Sequence, residues 1–196
     1  MMLKLDGPLY QAGTWIYNLL MLNALWLIFS LPVVTIGAST SAVFYVANKW
    51  VRQEEVGVIT GFWQAFRTNF LQATGLWLLL VLLFNVALFT MQNAWILGTW
   101  SQIVVILQLV VMVELIAVGL YLFCLISRYH MSARDALRSS FLMANRHLLT
   151  TIVLLAGLAL IPYIVYYFGF TLFLVVSLYA LVVAYLLRPI FSRYAE

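Results

Sequence analysis

Long runs of apolar residues recur along this chain of 196 residues, and they constrain its fold more than any other feature. A helix rises 1.5 Å per residue, so about 20 apolar residues cross the roughly 30 Å hydrocarbon core of a bilayer. Only 8% of the residues are charged and 66% are hydrophobic, whereas soluble domains carry about 25% charged residues. The chain is therefore predicted to be an all-α, polytopic helical membrane protein, with residues 1–196 forming a single integral membrane domain.

Hydropathy and helix breakers predict six transmembrane helices. The spans are expected at about 13–31, 33–51, 73–91, 99–126, 148–168 and 170–187. Two further segments, about 61–72 and 132–147, are predicted to be amphipathic helices on the cytoplasmic side. Pro32 separates the first two spans, and Ser132 with Asp135 forms a capping box at the start of the second amphipathic helix.

The Lys and Arg residues indicate the orientation of these spans. In the six-span arrangement all ten, from Lys4 to Arg193, lie on one side, and the opposite loops contain none. The positive-inside rule makes that side cytoplasmic, so both termini are predicted to be cytoplasmic. A five-span alternative, in which 33–48 folds on the cytoplasmic side, misplaces only Lys4.

The two amphipathic segments resemble each other. Residues 65–71 (AFRTNFL) match residues 136–142 (ALRSSFL) at a constant offset, and each segment lies between an incoming and an outgoing span. In the second copy Ala133, Leu137, Phe141 and Ala144 are expected to share one face. This pattern predicts an internal repeat of the form span, amphipathic helix, span.

Three polar residues lie deep within predicted spans: Asn23, Asn85 and Glu114. Because polar groups are costly in hydrocarbon, these side chains are expected to meet in the bundle core and satisfy one another's hydrogen bonds. Two interpretations remain open for this intramembrane cluster. It either forms a polar or proton-linked site, or it holds the helices together.

No motif of a known catalytic, cofactor or metal site occurs in the sequence. A phosphate-binding loop, an HExxH motif and a nucleophile elbow are absent, and the single cysteine, Cys124, excludes a CxxC site. His130 and His147 lack companions at the spacing of metal ligands. The basic residues are spread singly rather than in a patch, which argues against nucleic-acid binding. We therefore expect neither enzymatic activity nor a cofactor.

The first third of the chain resembles the YesL family of bacterial membrane proteins. The resemblance is carried by NALW at 23–26, FSLPVVTIGA at 29–38, AVFYV at 42–46, KW at 49–50 and FWQAFRTNF at 62–70. The function of that family is unknown, and its members are typically encoded in Gram-positive bacteria beside genes for sugar uptake and glycan degradation. The resemblance implies a multi-pass protein of the bacterial cytoplasmic membrane that is associated with carbohydrate utilisation, and it supplies no catalytic residues.

Two functions are expected on these grounds. The first is an auxiliary membrane protein of carbohydrate uptake or utilisation that binds an ABC permease or a sensor kinase, with Arg67 and Arg138 on the amphipathic helices as docking residues. The alternative is a small self-contained transporter or channel, either a monomer or a homo-oligomer, whose midplane site contains Asn23, Asn85 and Glu114.

Overall fold

The computed structural model describes residues 7–192, and within them every regular element is a helix and no strand occurs. Helices are expected for apolar segments in a bilayer because a helix satisfies every backbone hydrogen bond within the segment. Short 3-10 segments join α1 to α2, α3 to α4 and α6 to α7. The seven helices are α1 (Pro8–Ser30), α2 (Ile36–Val51), α3 (Val58–Gln92), α4 (Ser101–Arg128), α5 (Ala133–Arg146), α6 (Leu148–Tyr167) and α7 (Val175–Ser192).

Five of these helices are long and apolar enough to cross a membrane: α1, α3, α4, α6 and α7. The predicted second span, 33–51, is instead a 3-10 turn followed by α2, which has 16 residues. Such a helix is about 24 Å long, which is shorter than the hydrocarbon core. Ten of its residues are buried, because α2 packs against α1, α3, α4 and α7. The prediction of a sixth full-length span is therefore not confirmed.

Helices α1 and α2 form an antiparallel hairpin. Pro32 follows the end of α1, as predicted. Near the turn the Ser30 and Ser39 hydroxyls are 2.7 Å apart, and Trp26 Nε1 donates a hydrogen bond to Thr40 Oγ1 at 3.1 Å. At the other end, the rings of Trp15 and Trp50 meet edge to face with centroids 5.5 Å apart. The first half of α1 and the end of α2 therefore lie side by side at the open end of the hairpin.

The first amphipathic segment and the following span are one helix rather than two. Predicted as 61–72 and 73–91, they lie within α3, which runs for 35 residues without a break. Both segments have the same helical period, and Gly75 alone does not interrupt a helix. Phe62 and Phe66 are buried and Arg67 is exposed, so this part of α3 has one apolar and one polar face.

The second amphipathic segment, 132–147, corresponds to α5. Its predicted cap is confirmed, since Ser132 Oγ accepts a hydrogen bond from the backbone N–H of Asp135 at 3.2 Å. The predicted apolar face is confirmed at Ala144 and wrong at Ala133 and Phe141. The buried residues are Ala136, Ser140, Met143 and Ala144, whereas Ala133 and Phe141 are exposed and Leu137 is half-buried. Small side chains let α5 approach α4 closely, and this packing turns Phe141 outwards.

The two segments of the predicted repeat bury equivalent positions. At the constant offset, Ala65 and Ala136 are both buried, and so are Asn69 and Ser140. Arg67 and Arg138 are both exposed. The segments differ at their C-terminal ends, because α3 continues into a long apolar helix, whereas α5 ends at Arg146 before α6 begins. The duplication itself stays a prediction.

Candidate functional site: intramembrane polar residues and an apolar cavity

Asn23, in the middle of α1, is fully buried and holds the start of α7. Its Nδ2 donates to the Leu172 carbonyl at 2.8 Å, and its Oδ1 accepts from the backbone N–H groups of Val176 and Ser177 at 3.1 and 3.3 Å. The first N–H groups of a helix have no partner within the helix. Asn23 therefore acts as a cap that is supplied by another helix.

The predicted cluster of Asn23, Asn85 and Glu114 does not form. Asn85 is exposed on α3, and its Nδ2 donates to the Val81 carbonyl one turn earlier in the same helix. Glu114 lies in the middle of α4 and accepts a hydrogen bond from Asn145 of α5 at 2.6 Å. No hydrogen bond joins the three predicted residues to one another within 7–192, because each has found a partner elsewhere.

Glu114 and Asn145 form a polar pair on an exposed apolar surface. The buried residues of α4 all lie in its second half, from Ala117 to Ser127, and its first half is largely exposed. The residues close to Glu114 and Asn145 in the sequence include large exposed apolar side chains on three helices. Among them are Val110 and Val113 of α4, Phe141 and Leu142 of α5, and Leu149 of α6. Asn145 was not predicted as Glu114's partner, since the sequence alone does not show which helices pack together.

An apolar cavity of about 490 Å³ lies between the helices. Trp26 of α1 lines it together with residues of α2, α3, α4, α6 and α7, which include Phe44, Trp77, Phe123 and Tyr179. Its volume is within the range of small-molecule sites, roughly 300–1,000 Å³. The sequence does not predict this cavity, because its lining residues are separate in sequence and have the composition of ordinary span residues.

The polar groups around this cavity bond to the protein. Thr40 Oγ1 accepts from Trp26, Trp77 Nε1 donates to the Val33 carbonyl at 2.9 Å, and the Tyr179 hydroxyl donates to the Leu154 carbonyl at 2.7 Å. Among the residues that the structure describes, no charged side chain lines the cavity. The cavity therefore suits hydrocarbon rather than a sugar, whose hydroxyls require several hydrogen-bond partners.

The two predicted docking residues, Arg67 and Arg138, are exposed on different helices. The Arg67 guanidinium lies over the ring of Trp63, 5.8 Å from its centroid, whereas Arg138 of α5 makes no ion pair within 7–192. Both side chains are accessible to a partner.

A polar cluster at the C-terminal ends of α2 and α4 was not predicted from the sequence. Asn48 Nδ2 donates to Ser127 Oγ at 3.0 Å and contacts the Cys124 sulfur at 3.5 Å, and all three residues are buried. Asn48 was not singled out from the sequence, where it lies near the end of the predicted span 33–51 and one residue before Lys49. Among residues 7–192, no three His, Cys, Asp or Glu side chains come together in a way that could hold a metal ion.

Comparison with known proteins identifies one family model and one relative that this chain resembles. Residues 19–91 match the model of a family described as "Protein of unknown function, DUF624". The chain is also 29% identical over 176 residues to the "Uncharacterized protein YesL" of Bacillus subtilis (strain 168), covering 86% of this chain and 82% of that protein. No solved structure matches the chain. The family match spans α1 to α3 and the similarity to the relative extends over most of the chain, so the two findings together support an assignment to the YesL family of proteins of unknown function.

Proposed function

We propose that this protein is an auxiliary membrane protein of carbohydrate uptake or utilisation, and that it acts by binding an ABC permease or a sensor kinase. The link to carbohydrate rests on the genomic setting that the YesL resemblance implies. The binding role rests on the surface that carries Glu114, where a polar pair lies among exposed apolar side chains.

The Glu114–Asn145 pair is the observation that carries this proposal. A carboxylate in the middle of a membrane helix costs about 2.5–3.5 kcal/mol on insertion scales, unless protein or water surrounds it. Glu114 is only half-buried and accepts one hydrogen bond, although a carboxylate can accept several. A partner helix that brings an Arg, a Lys or an amide to this surface would supply the missing donors and cover the apolar side chains around it.

The alternative, a self-contained transporter or channel, receives less support. Its predicted midplane site requires Asn23, Asn85 and Glu114 to line one path, and they bond to three different partners. The apolar lining of the cavity does not favour the passage of a sugar.

We further propose that the chain crosses the bacterial cytoplasmic membrane six times with both termini in the cytoplasm. The contact between Trp15 and Trp50 supports this topology, because it brings the beginning of α1 and the end of α2 to one level. Lys49 and Arg52 lie at that level, so the positive-inside rule favours the cytoplasm there. In this arrangement α2 and the turn before it form the short return crossing.

Co-purification from the native host tests the binding proposal. The tagged protein is solubilised gently from cells grown on a complex glycan, and the proteins that stay bound are identified by mass spectrometry. We expect stoichiometric recovery of an ABC permease or a sensor kinase. Charge reversal at both Arg67 and Arg138 should reduce that recovery if these residues dock the partner, whereas Glu55→Lys in the exposed loop before α3 serves as the matched control. Recovery of the chain alone as a defined oligomer would favour the transporter instead.

A further inference from the structure

An open groove of about 420 Å³ lies where α1, α2 and α7 meet at the end of the hairpin. Trp15, Trp50 and Tyr185 line it with apolar side chains such as Leu181. Trp and Tyr are the residues that concentrate at the level of lipid headgroups, since their rings combine an apolar body with a polar edge. The groove therefore has the lining of a site at the membrane interface.

Positive charge borders this groove. Val51 is one of its lining residues, and the Val51 carbonyl accepts a hydrogen bond from Arg188 Nη1 at 3.2 Å. This bond uses one of the five N–H donors of the guanidinium. Arg188 is otherwise exposed, and Arg52, the residue after Val51, is exposed as well.

A single carboxylate, that of Glu54, pairs with the cations beside this groove within residues 7–192. Glu54 pairs with both Lys49 and Arg52, at 2.9 and 3.0 Å. Its hydrogen bond with Lys49 lowers the pKa of Glu54, so the Glu54 carboxylate is charged at neutral pH. Two cations thus share one carboxylate, and Arg188 forms no ion pair within the part of the chain that the structure describes.

We propose that this groove binds an anionic phospholipid, with an acyl chain along Trp15, Leu181 and Tyr185 and the headgroup phosphate on Arg188 and Arg52. Basic sites between membrane helices on the cytoplasmic side are suited to anionic headgroups. An apolar groove continuous with a cationic rim matches both halves of such a lipid. A soluble anion would use only the rim, which gives the test a clear alternative.

Native mass spectrometry of the full-length protein in detergent measures this binding directly. The protein is titrated with dioleoylphosphatidylglycerol, dioleoylphosphatidylcholine or inorganic phosphate. We expect one phosphatidylglycerol to bind more tightly than phosphatidylcholine, and inorganic phosphate not to displace it. Each basic residue near a headgroup contributes about fivefold in affinity, so Arg188→Gln should weaken phosphatidylglycerol binding roughly fivefold and the double variant with Arg52→Gln roughly 25-fold.

Arg134→Gln is the matched control, because Arg134 is an exposed arginine on α5 that lies outside the groove. Its affinity for phosphatidylglycerol should equal that of the unaltered protein. Equal binding of the two lipids, equal losses in Arg188→Gln and Arg134→Gln, or full displacement by inorganic phosphate would each overturn the proposal. The comparison of the two lipids on the unaltered protein decides the matter even if a variant fails to fold. The result is independent of whether a protein partner is found.

Discussion

At the scale of single residues, two of the three polar side chains that lie within predicted spans, Asn23 and Glu114, bond to a different helix. Asn23 binds the backbone at the start of α7, about 150 residues further along the chain, and the partner of Glu114 lies on α5. Polar atoms in hydrocarbon must find donors or acceptors, and backbone groups at helix ends are the ones without partners of their own.

Replacing Asn23 with Leu should destabilise the protein by about 1–3 kcal/mol, the usual cost of leaving buried polar groups unsatisfied. The variant strands the N–H groups of Val176 and Ser177 in apolar surroundings. Asn85→Leu is the control, because Asn85 is exposed and bonds only to its own helix. Thermal unfolding in detergent micelles measures the stability of both variants. Equal melting temperatures for the two variants would contradict the capping role.

The sequence allowed the polar residues to be identified but not their partners. Hydropathy marks Asn23, Asn85 and Glu114 directly, because each interrupts an apolar run. Their partners are backbone atoms or, for Glu114, a side chain on a helix expected to face solvent. Only the packing of helices brings these groups together, and no residue pattern within one helix encodes it.

At the scale of helices, close packing of α2 on α3 organises the buried core. A Cβ atom at Gly37 would lie 2.5 Å from the Ala73 carbonyl oxygen and 2.5 Å from Trp77 Cβ. Small residues at such crossings let helix backbones approach, which drives association where the hydrophobic effect is weak. Gly37, in the first turn of α2, is therefore a point of close contact between α2 and α3.

Gly37→Ala should therefore destabilise the protein by about 1–3 kcal/mol, because backbone atoms of α3 must move to make room. Gly75→Ala is the matched control within α3, since a Cβ there meets nothing within 4 Å. That change should be neutral or stabilise by up to about 1 kcal/mol through helix propensity. Melting temperatures in detergent compare the two. A Gly37→Ala protein as stable as the unaltered one would rule out tight α2–α3 packing.

Most helices could be predicted because their apolar runs, prolines and caps are local signals. Pro32 indicated the end of α1 and Ser132 indicated the start of α5 in this way, whereas α1 begins at Pro8 rather than near residue 13. The continuity of α3 could not be predicted, since an amphipathic segment and a span differ in polarity but share one helical period. The prediction of the buried face of α5 failed in part for a related reason. Three of the four buried residues on α5 are small, whereas the prediction relied on large apolar ones.

At the scale of the whole molecule, the proposed six-crossing topology makes a prediction about accessibility. Cys124 is the single cysteine and is buried, so Cys124→Ser provides a background without cysteine. In that background Val34→Cys and Leu97→Cys should react with an impermeant maleimide from outside intact cells, and Glu55→Cys only after the cells are opened. Labelling of Val34→Cys from the cytoplasmic side alone would support the five-span arrangement and contradict ours.

The central claim is that the surface around Glu114 binds a membrane partner, and quantitative co-purification from the native host tests it most directly. We compare Glu114→Gln, which removes the charge but keeps a polar side chain, with Asn85→Leu as the intramembrane control. Loss of a charged hydrogen bond costs about 1.5–3 kcal/mol, so partner recovery by Glu114→Gln should fall about tenfold or more. Asn85→Leu should recover the partner fully. Equal recovery by Glu114→Gln and the unaltered protein, at equal expression, would contradict the account.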